Sequence, residues 1–227
     1  MTVIEIEVIL DFVCAWCYIG KRKLDRAISL YQKTYPGGRA DIFKITWSPY
    51  YLNYNPHGRS VPKSDLVDER LGHMTPEQQT ALFNRMNQIG RGVGIYFKGG
   101  GLMGASTRDA HRLVYLARVE GVEGLVQGAL VEGILRAYHE MERDISERNV
   151  LVDVAVQAGL ARERVLEWLD SDLGGDVVDD QAWRNKDEGK GAGVPRYVVQ
   201  GGHRLDGVQD ESDFIQLLAE IKEKNVE

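Results

Sequence analysis

Val3-Ile-Glu-Ile-Glu-Val-Ile-Leu10-Asp-Phe-Val-Cys14-Ala-Trp-Cys17-Tyr-Ile-Gly20 is the stretch that decides how the chain is built. Between Val3 and Leu10, Glu5 and Glu7 alternate against β-forming Ile and Val, the period of two expected of a strand with one covered face. Beyond Cys17, Ile19, Leu24, Ala27, Ile28 and Tyr31 recur at helical spacing until Pro36-Gly37-Gly38 breaks the pattern. Cys14-Ala15-Trp16-Cys17 therefore falls where a strand gives way to a helix.

These are the only two cysteines in 227 residues, so a structural disulfide framework is excluded. Closing so short a loop removes little entropy from the unfolded chain, which makes stability a poor reason for the pair. Half of a zinc site is the other alternative. It needs two further ligands, and His57, His73, His111, His139 and His203 are isolated rather than spaced as ligands. No metal is expected.

The composition, 43% hydrophobic and 27% charged, is that of a globular chain long enough to bury a full core. A net charge of -6 argues against a phosphate-backbone binder. No apolar run approaches the roughly 20 residues that span a bilayer. The first ten residues lack a basic segment followed by an apolar one, so a cytoplasmic location is expected.

Outward from the cysteines, Ile42-Phe-Lys-Ile-Thr-Trp47 predicts a second strand, stopped at Ser48-Pro49, and Tyr50 to about Ser64 predicts a long surface connection. From Lys63 to Lys190 the periodicity is helical, without further clear strands. Helices are predicted over Lys63–Leu71, Pro76–Ile89, Thr107–Glu120, Val122–Met141, Arg148–Gly159, Arg162–Asp170 and Val177–Gly189. Thr75-Pro-Glu-Gln78 supplies an N-cap, a proline at the first helical position and a capping-box glutamine. Strands return at Arg196–Gln200 and His203–Val208, around a Gly201-Gly202 turn suited to positive φ, and Glu211–Lys224 predicts a last helix. The order is that of a thioredoxin-like α/β fold with a helical domain inserted between its second and third strands. The expected segments are 1–62 and 191–227 for the thioredoxin-like domain and 63–190 for the insertion.

A CxxC at a helix start is suited to thiol-disulfide exchange, which needs an attacking thiolate and a second thiol to resolve the mixed disulfide. Unpaired N–H groups and positive partial charge at the helix N-terminus favour an anionic sulfur there. Cys14, nearer the strand end, is the expected nucleophile, and the more buried Cys17 the resolving thiol. Trp16 offers a flat apolar face for substrate. Val194-Pro195, directly before a strand, is expected to be cis, keeping a backbone edge beside the dithiol. Arg196 either steers an acidic substrate or glutathione carboxylate, or points to solvent. His111 either lines the active site or packs its helix. Gly99-Gly-Gly101 lacks the GxxxxGK[ST] pattern and reads as a flexible loop, and Trp47, Tyr115 and Trp168 read as core or partly buried aromatics.

Asp11-Phe-Val-Cys-Ala-Trp-Cys-Tyr-Ile-Gly-Lys21, Ser106-Thr-Arg-Asp-Ala-His-Arg-Leu113, Ala137-Tyr-His139, Gly193-Val-Pro-Arg-Tyr-Val-Val199 and Asp206-Gly-Val-Gln209 together resemble the DsbA family, in particular its FrnE-like branch. The resemblance covers nearly the whole chain. It implies a thioredoxin fold with an inserted helical domain, nucleophilic Cys14, resolving Cys17 and cis-Pro195, and a link to polyketide and other secondary-metabolite biosynthesis. Ala15 departs from the family's usual proline. The expected partners are thiol or disulfide substrates, small molecule or protein, with glutathione a candidate electron donor or co-substrate and a second copy of the chain a candidate partner. The alternative is a glutathione-dependent transferase or isomerase, similar to the kappa-class transferases and 2-hydroxychromene-2-carboxylate isomerases.

Overall fold

The computed structural model describes residues 1–224. The last three positions of the expected 191–227 segment lie outside the described residues. Strand β1 (Val3–Leu10) leads into helix α1 (Ala15–Thr34), and β2 (Ile42–Pro49) returns to pair with β1 in parallel, from Val3 opposite Ile42 to Leu10 opposite Pro49. The alternation read from the sequence is structural: Ile4, Ile6, Val8 and Leu10 are at most 1% exposed, each burial contributing about 1.5–3 kcal/mol.

The helices of the insertion follow the sequence closely: α2 (Lys63–Leu71), α3 (Pro76–Gly92), α4 (Arg108–Val119), α5 (Leu125–His139), α6 (Arg148–Ala158), α7 (Arg162–Leu169) and α8 (Gly175–Glu188). The capping box at Thr75 forms, with its hydroxyl accepting from Gln78 N–H and the Gln78 amide oxygen accepting from Thr75 N–H. One element is new. Val61–Pro62 and Leu102–Met103 pair as a two-stranded antiparallel ribbon, which periodicity cannot reveal in two-residue pieces. The Gly99–Gly101 loop beside it is tied down, with Gly100 N–H donating to Glu142 and the Gly101 carbonyl accepting from Lys63 N–H.

Numbering those two short strands β3 and β4, the chain finishes with β5 (Arg196–Val199), β6 (His203–Asp206) and α9 (Glu211–Lys224), giving a main sheet in the order β2-β1-β5-β6. The hairpin turn sits one residue earlier than expected. Positive φ falls on Gln200 and Gly201 rather than on the two glycines. Gln200 is held in that conformation from outside, because its N–H donates to the Glu5 carbonyl and its amide donates to the Val3 carbonyl.

Helices α1 and α9 pack together on the even face of β1. On the other face α8 is bonded to β2 and the segment after it: Gln181 donates to Ser48, Asn185 to the Pro49 carbonyl, and Tyr51 to Asp179. An ionic cluster fastens the insertion to α1, with Glu132 of α5 within 2.9 Å of Lys21 and 2.6 Å of Arg22, and Tyr18 bonded to Glu132 and Glu140. Among the described residues, no helix is long and apolar enough to cross a membrane.

Candidate active site at the start of helix α1

β1 ends at Leu10, and the next three residues turn the chain so that Cys14 N–H donates to the Asp11 carbonyl at 3.1 Å. Cys14 is then the N-cap of α1, its sulfur accepting from Cys17 N–H at 3.3 Å. A serine, threonine or aspartate oxygen usually fills that role; here sulfur does, accepting from the Cys17 N–H of the first turn. Its thiol also lies 3.6 Å from the Val194 carbonyl oxygen, a residue 180 positions away that β5 delivers. The Val194–Pro195 peptide is cis.

Both cysteines are free and covered, Cys14 5% exposed and Cys17 1%. Burial pushes the Cys17 thiol well above its ordinary value, and its contact with Cys14 pushes it further. Cys17 is therefore held as a protonated thiol. Trp16, half-buried, packs on the core beside the pair. Pro195 is buried and Val194 half-buried. The structure thus brings together Cys14, Cys17, Trp16, Val194 and Pro195.

Arg196 is placed elsewhere. It is 6% exposed, so it does not point to solvent, and its guanidinium donates to the Asn185 carbonyl at the end of α8. The reason is register. Arg196 sits opposite Ile9 on the α8 face of the sheet, whereas Tyr197, opposite Val8, turns toward α1. Tyr197 comes so close that a Cβ on Gly20 would lie 2.2 Å from its hydroxyl oxygen, so the helix needs glycine there.

His111 is buried, with its ring 4.7 Å from Phe12, and its Nε2 lies 3.7 Å from a carboxylate oxygen of Asp11. Asp11 is 1% exposed; its other oxygen accepts from Leu52 N–H at 2.8 Å. Three residues before Cys14, Asp11 is the acidic residue that interrupts the apolar run Val8-Ile-Leu-Asp-Phe12, a signal that composition alone does not flag. His139, from α5, donates to the Phe12 carbonyl at 3.0 Å. Burial, with Lys63 nearby, pushes its imidazole down to about 3. Among the described residues, no three His, Cys, Asp or Glu side chains come together as a metal-donor set.

A dithiol on the cap and first turn of the helix between two parallel strands, met by a peptide from an antiparallel third strand, defines a thioredoxin-fold protein of the dithiol class. The chain belongs to the DSBA-like thioredoxin domain family, whose model matches residues 5–219. It is similar in structure to a probable DsbA oxidoreductase from Streptomyces coelicolor, with 25% identity, 96% of this chain and 89% of the other covered, and a TM-score of 0.80. A 2-hydroxychromene-2-carboxylate isomerase has the same fold at 14% identity, 96% and 95% coverage and a TM-score of 0.62. So does the cytosolic disulfide reductase DsbM of Pseudomonas aeruginosa bound to GSH, at 17% identity, 96% and 99% coverage and a TM-score of 0.61. No curated protein sequence matches the chain significantly.

Proposed function

We propose that the protein is a thiol-disulfide oxidoreductase in which Cys14 attacks and Cys17 resolves. The observation that carries this reading is the setting of the Cys14 sulfur, which caps α1 through the Cys17 N–H and faces the Val194 carbonyl at 3.6 Å. The Cys17 N–H at the helix end points at the Cys14 sulfur, while burial keeps Cys17 a thiol until a mixed disulfide calls on it. The main chain at Val194-Pro195 and the face of Trp16 form the substrate-contact edge. Arg196 is left out of this set because its guanidinium is bound to α8.

Segments 1–62 and 191–227 form the redox domain in this reading, and 63–190 the insertion that borders it. Glutathione is the small thiol partner it favours, in keeping with the GSH complex of DsbM, and a reducing cytoplasm is the compartment that fits. Membership of the FrnE-like branch, a role in polyketide metabolism and self-association belong to the same proposal.

Dithiothreitol-driven reduction of insulin tests it. The wild type should accelerate precipitation, Cys14→Ser should not, and Cys17→Ser should trap a mixed disulfide. Equal rates for wild type and Cys14→Ser would show the dithiol to be inert. Full turnover by Cys17→Ser on a glutathione-dependent isomerisation would instead favour the isomerase reading.

A further inference from the structure

Strand β2 ends the main sheet, and its outer edge has no strand partner among the described residues. Its ladder to β1 uses alternate residues. Ile42 N–H donates to the Thr2 carbonyl and Tyr50 N–H to the Leu10 carbonyl, so the even-numbered residues bond inward. The odd-numbered residues then aim their main-chain groups outward. At one end the Pro49 carbonyl is taken, accepting from the Asn185 amide at 2.8 Å. Phe43, Ile45 and Trp47 each keep an N–H and a C=O that no other element meets among the described residues.

These groups face a cavity rather than open solvent. It measures about 320 Å³, a size that takes a small molecule. Five consecutive residues, Phe43 to Trp47, line it. Side chains that alternate between two faces cannot all do so, and the floor is therefore the edge of the strand itself. Val114 and Tyr115 of α4 and Val178 of α8 supply an apolar wall, and the turn into α5 closes one side. Gly124 in that turn has φ 78° and ψ −107°, and a Cβ built there would meet no atom within 4 Å. Its backbone conformation requires glycine, and the space beside it stays open.

The side chains around the cavity leave the strand edge as its hydrogen-bonding surface. Gln127 already donates to the Val114 carbonyl at 3.0 Å, and Gln181 to Ser48 at 2.9 Å. The charges are matched, Arg118 with Glu123 at 3.8 Å and Lys44 with Glu5 at 4.0 Å. His111, 5% exposed, is the deepest polar side chain, and its ring packs on Phe12.

We propose that this cavity is a second ligand site, separate from the dithiol, for a small, neutral, flat molecule with a lactam or amide edge. A strand edge offers a donor and an acceptor side by side in the plane of the sheet, and a lactam presents the complementary pair. The ligand lies where the next strand would lie, its N–H and C=O paired with the edge around Ile45 and its apolar rings against Val114, Tyr115 and Val178. A charged molecule fits poorly, because no unmatched charge waits for it and its own would be desolvated.

The test titrates 2-quinolinone, a fluorescent lactam, into the reduced full chain and reads its emission, with calorimetry giving the ratio. Binding should saturate at one molecule per chain below about 1 mM. N-methyl-2-quinolinone, which lacks the donor, should bind at least tenfold more weakly. Thr46→Trp, at an exposed β2 position on the cavity, fills it with a residue that strands accept and should weaken binding at least tenfold. Ile45→Pro deletes one outward N–H and leaves the ladder to β1 intact, as proline on an edge strand can, and should do the same. No saturable binding by the wild type, or wild-type affinity in both variants, overturns the proposal. If Ile45→Pro does not fold, wild-type affinity in Thr46→Trp overturns it alone. Cys14→Ser should bind as tightly as the wild type, and a tenfold loss there would move the ligand to the dithiol and overturn the separate site. An inert dithiol in insulin reduction would leave the titration unchanged, so the two readings fail separately.

Discussion

Two buried aspartates stand at opposite ends of β1 and have opposite surroundings. Asp41, before β2, accepts from Thr2 N–H at 2.8 Å, Tyr31 hydroxyl at 3.0 Å and Lys222 ammonium at 2.6 Å. Burial alone would raise its carboxyl, but Lys222 and the two other donors outweigh burial and hold it below the usual value. Asp11 has one donor, Leu52 N–H, and one oxygen without any. A carboxylate with donors on both oxygens serves to hold elements together, here α9, α1 and the start of the sheet. One with an unpartnered oxygen is held by fewer bonds. The thiols lie at the second end.

The sharpest way to break this contrast is to remove each carboxylate and compare the costs. Asp41→Ala leaves the Lys222 ammonium buried without its partner, and such losses run to about 3–5 kcal/mol. Asp11→Asn keeps an acceptor for Leu52 N–H and should cost less than about 1 kcal/mol. Urea unfolding of the two variants at pH 7 measures both. Equal losses would mean that Asp11 is as structural as Asp41 and that its unpartnered oxygen is no sign of function.

His139, buried with the Phe12 carbonyl as its hydrogen-bond partner, supplies a pH test. Its imidazole titrates near 6.5 in the unfolded chain and at about 3 in the fold, lowered by burial and by the Lys63 charge against the pull of the Phe12 carbonyl. Between those values the unfolded chain binds a proton that the native chain does not. Stability from this group is therefore complete above pH 6.5 and lost as pH falls toward 3, at about 1.4 kcal/mol per pH unit. His139→Gln, whose amide can still donate to the Phe12 carbonyl, should flatten that part of the stability curve. If the variant and wild type lose stability in parallel from pH 6.5 to 4, His139 is not held neutral by the fold.

Much of this was legible in the sequence, for physical reasons that also mark where legibility stops. The strand–CxxC–helix start and the capping box at Thr75 are local, decided by periodicity and by side chains within a few residues of one another. The five-helix run from α4 to α8 carries enough turns for its period to show. Arg196 escaped because its direction depends on the register of β5 against β1, where a shift of one residue exchanges the two faces of the sheet. The ribbon of β3 and β4 escaped because two residues hold no period. The Asp11–His111 pairing joins positions 100 residues apart through tertiary packing, although each lies in a segment that the family resemblance had picked out.

Tyr197 allows the comparison to be drawn more finely. Its hydroxyl is also buried near the thiols and also unpartnered, but burial raises it well beyond the range in which it ionises. The hydroxyl therefore stays neutral near pH 7. Tyr197→Phe removes a desolvated donor that has no acceptor and keeps the ring against Phe214, so stability should stay level or rise by up to about 1 kcal/mol. Decay of the mixed disulfide should keep the wild-type pH profile. A shift of that profile in Tyr197→Phe would show that the buried hydroxyl takes part in the exchange, and that unpartnered atoms are what separate this end of the sheet from the one at Asp41.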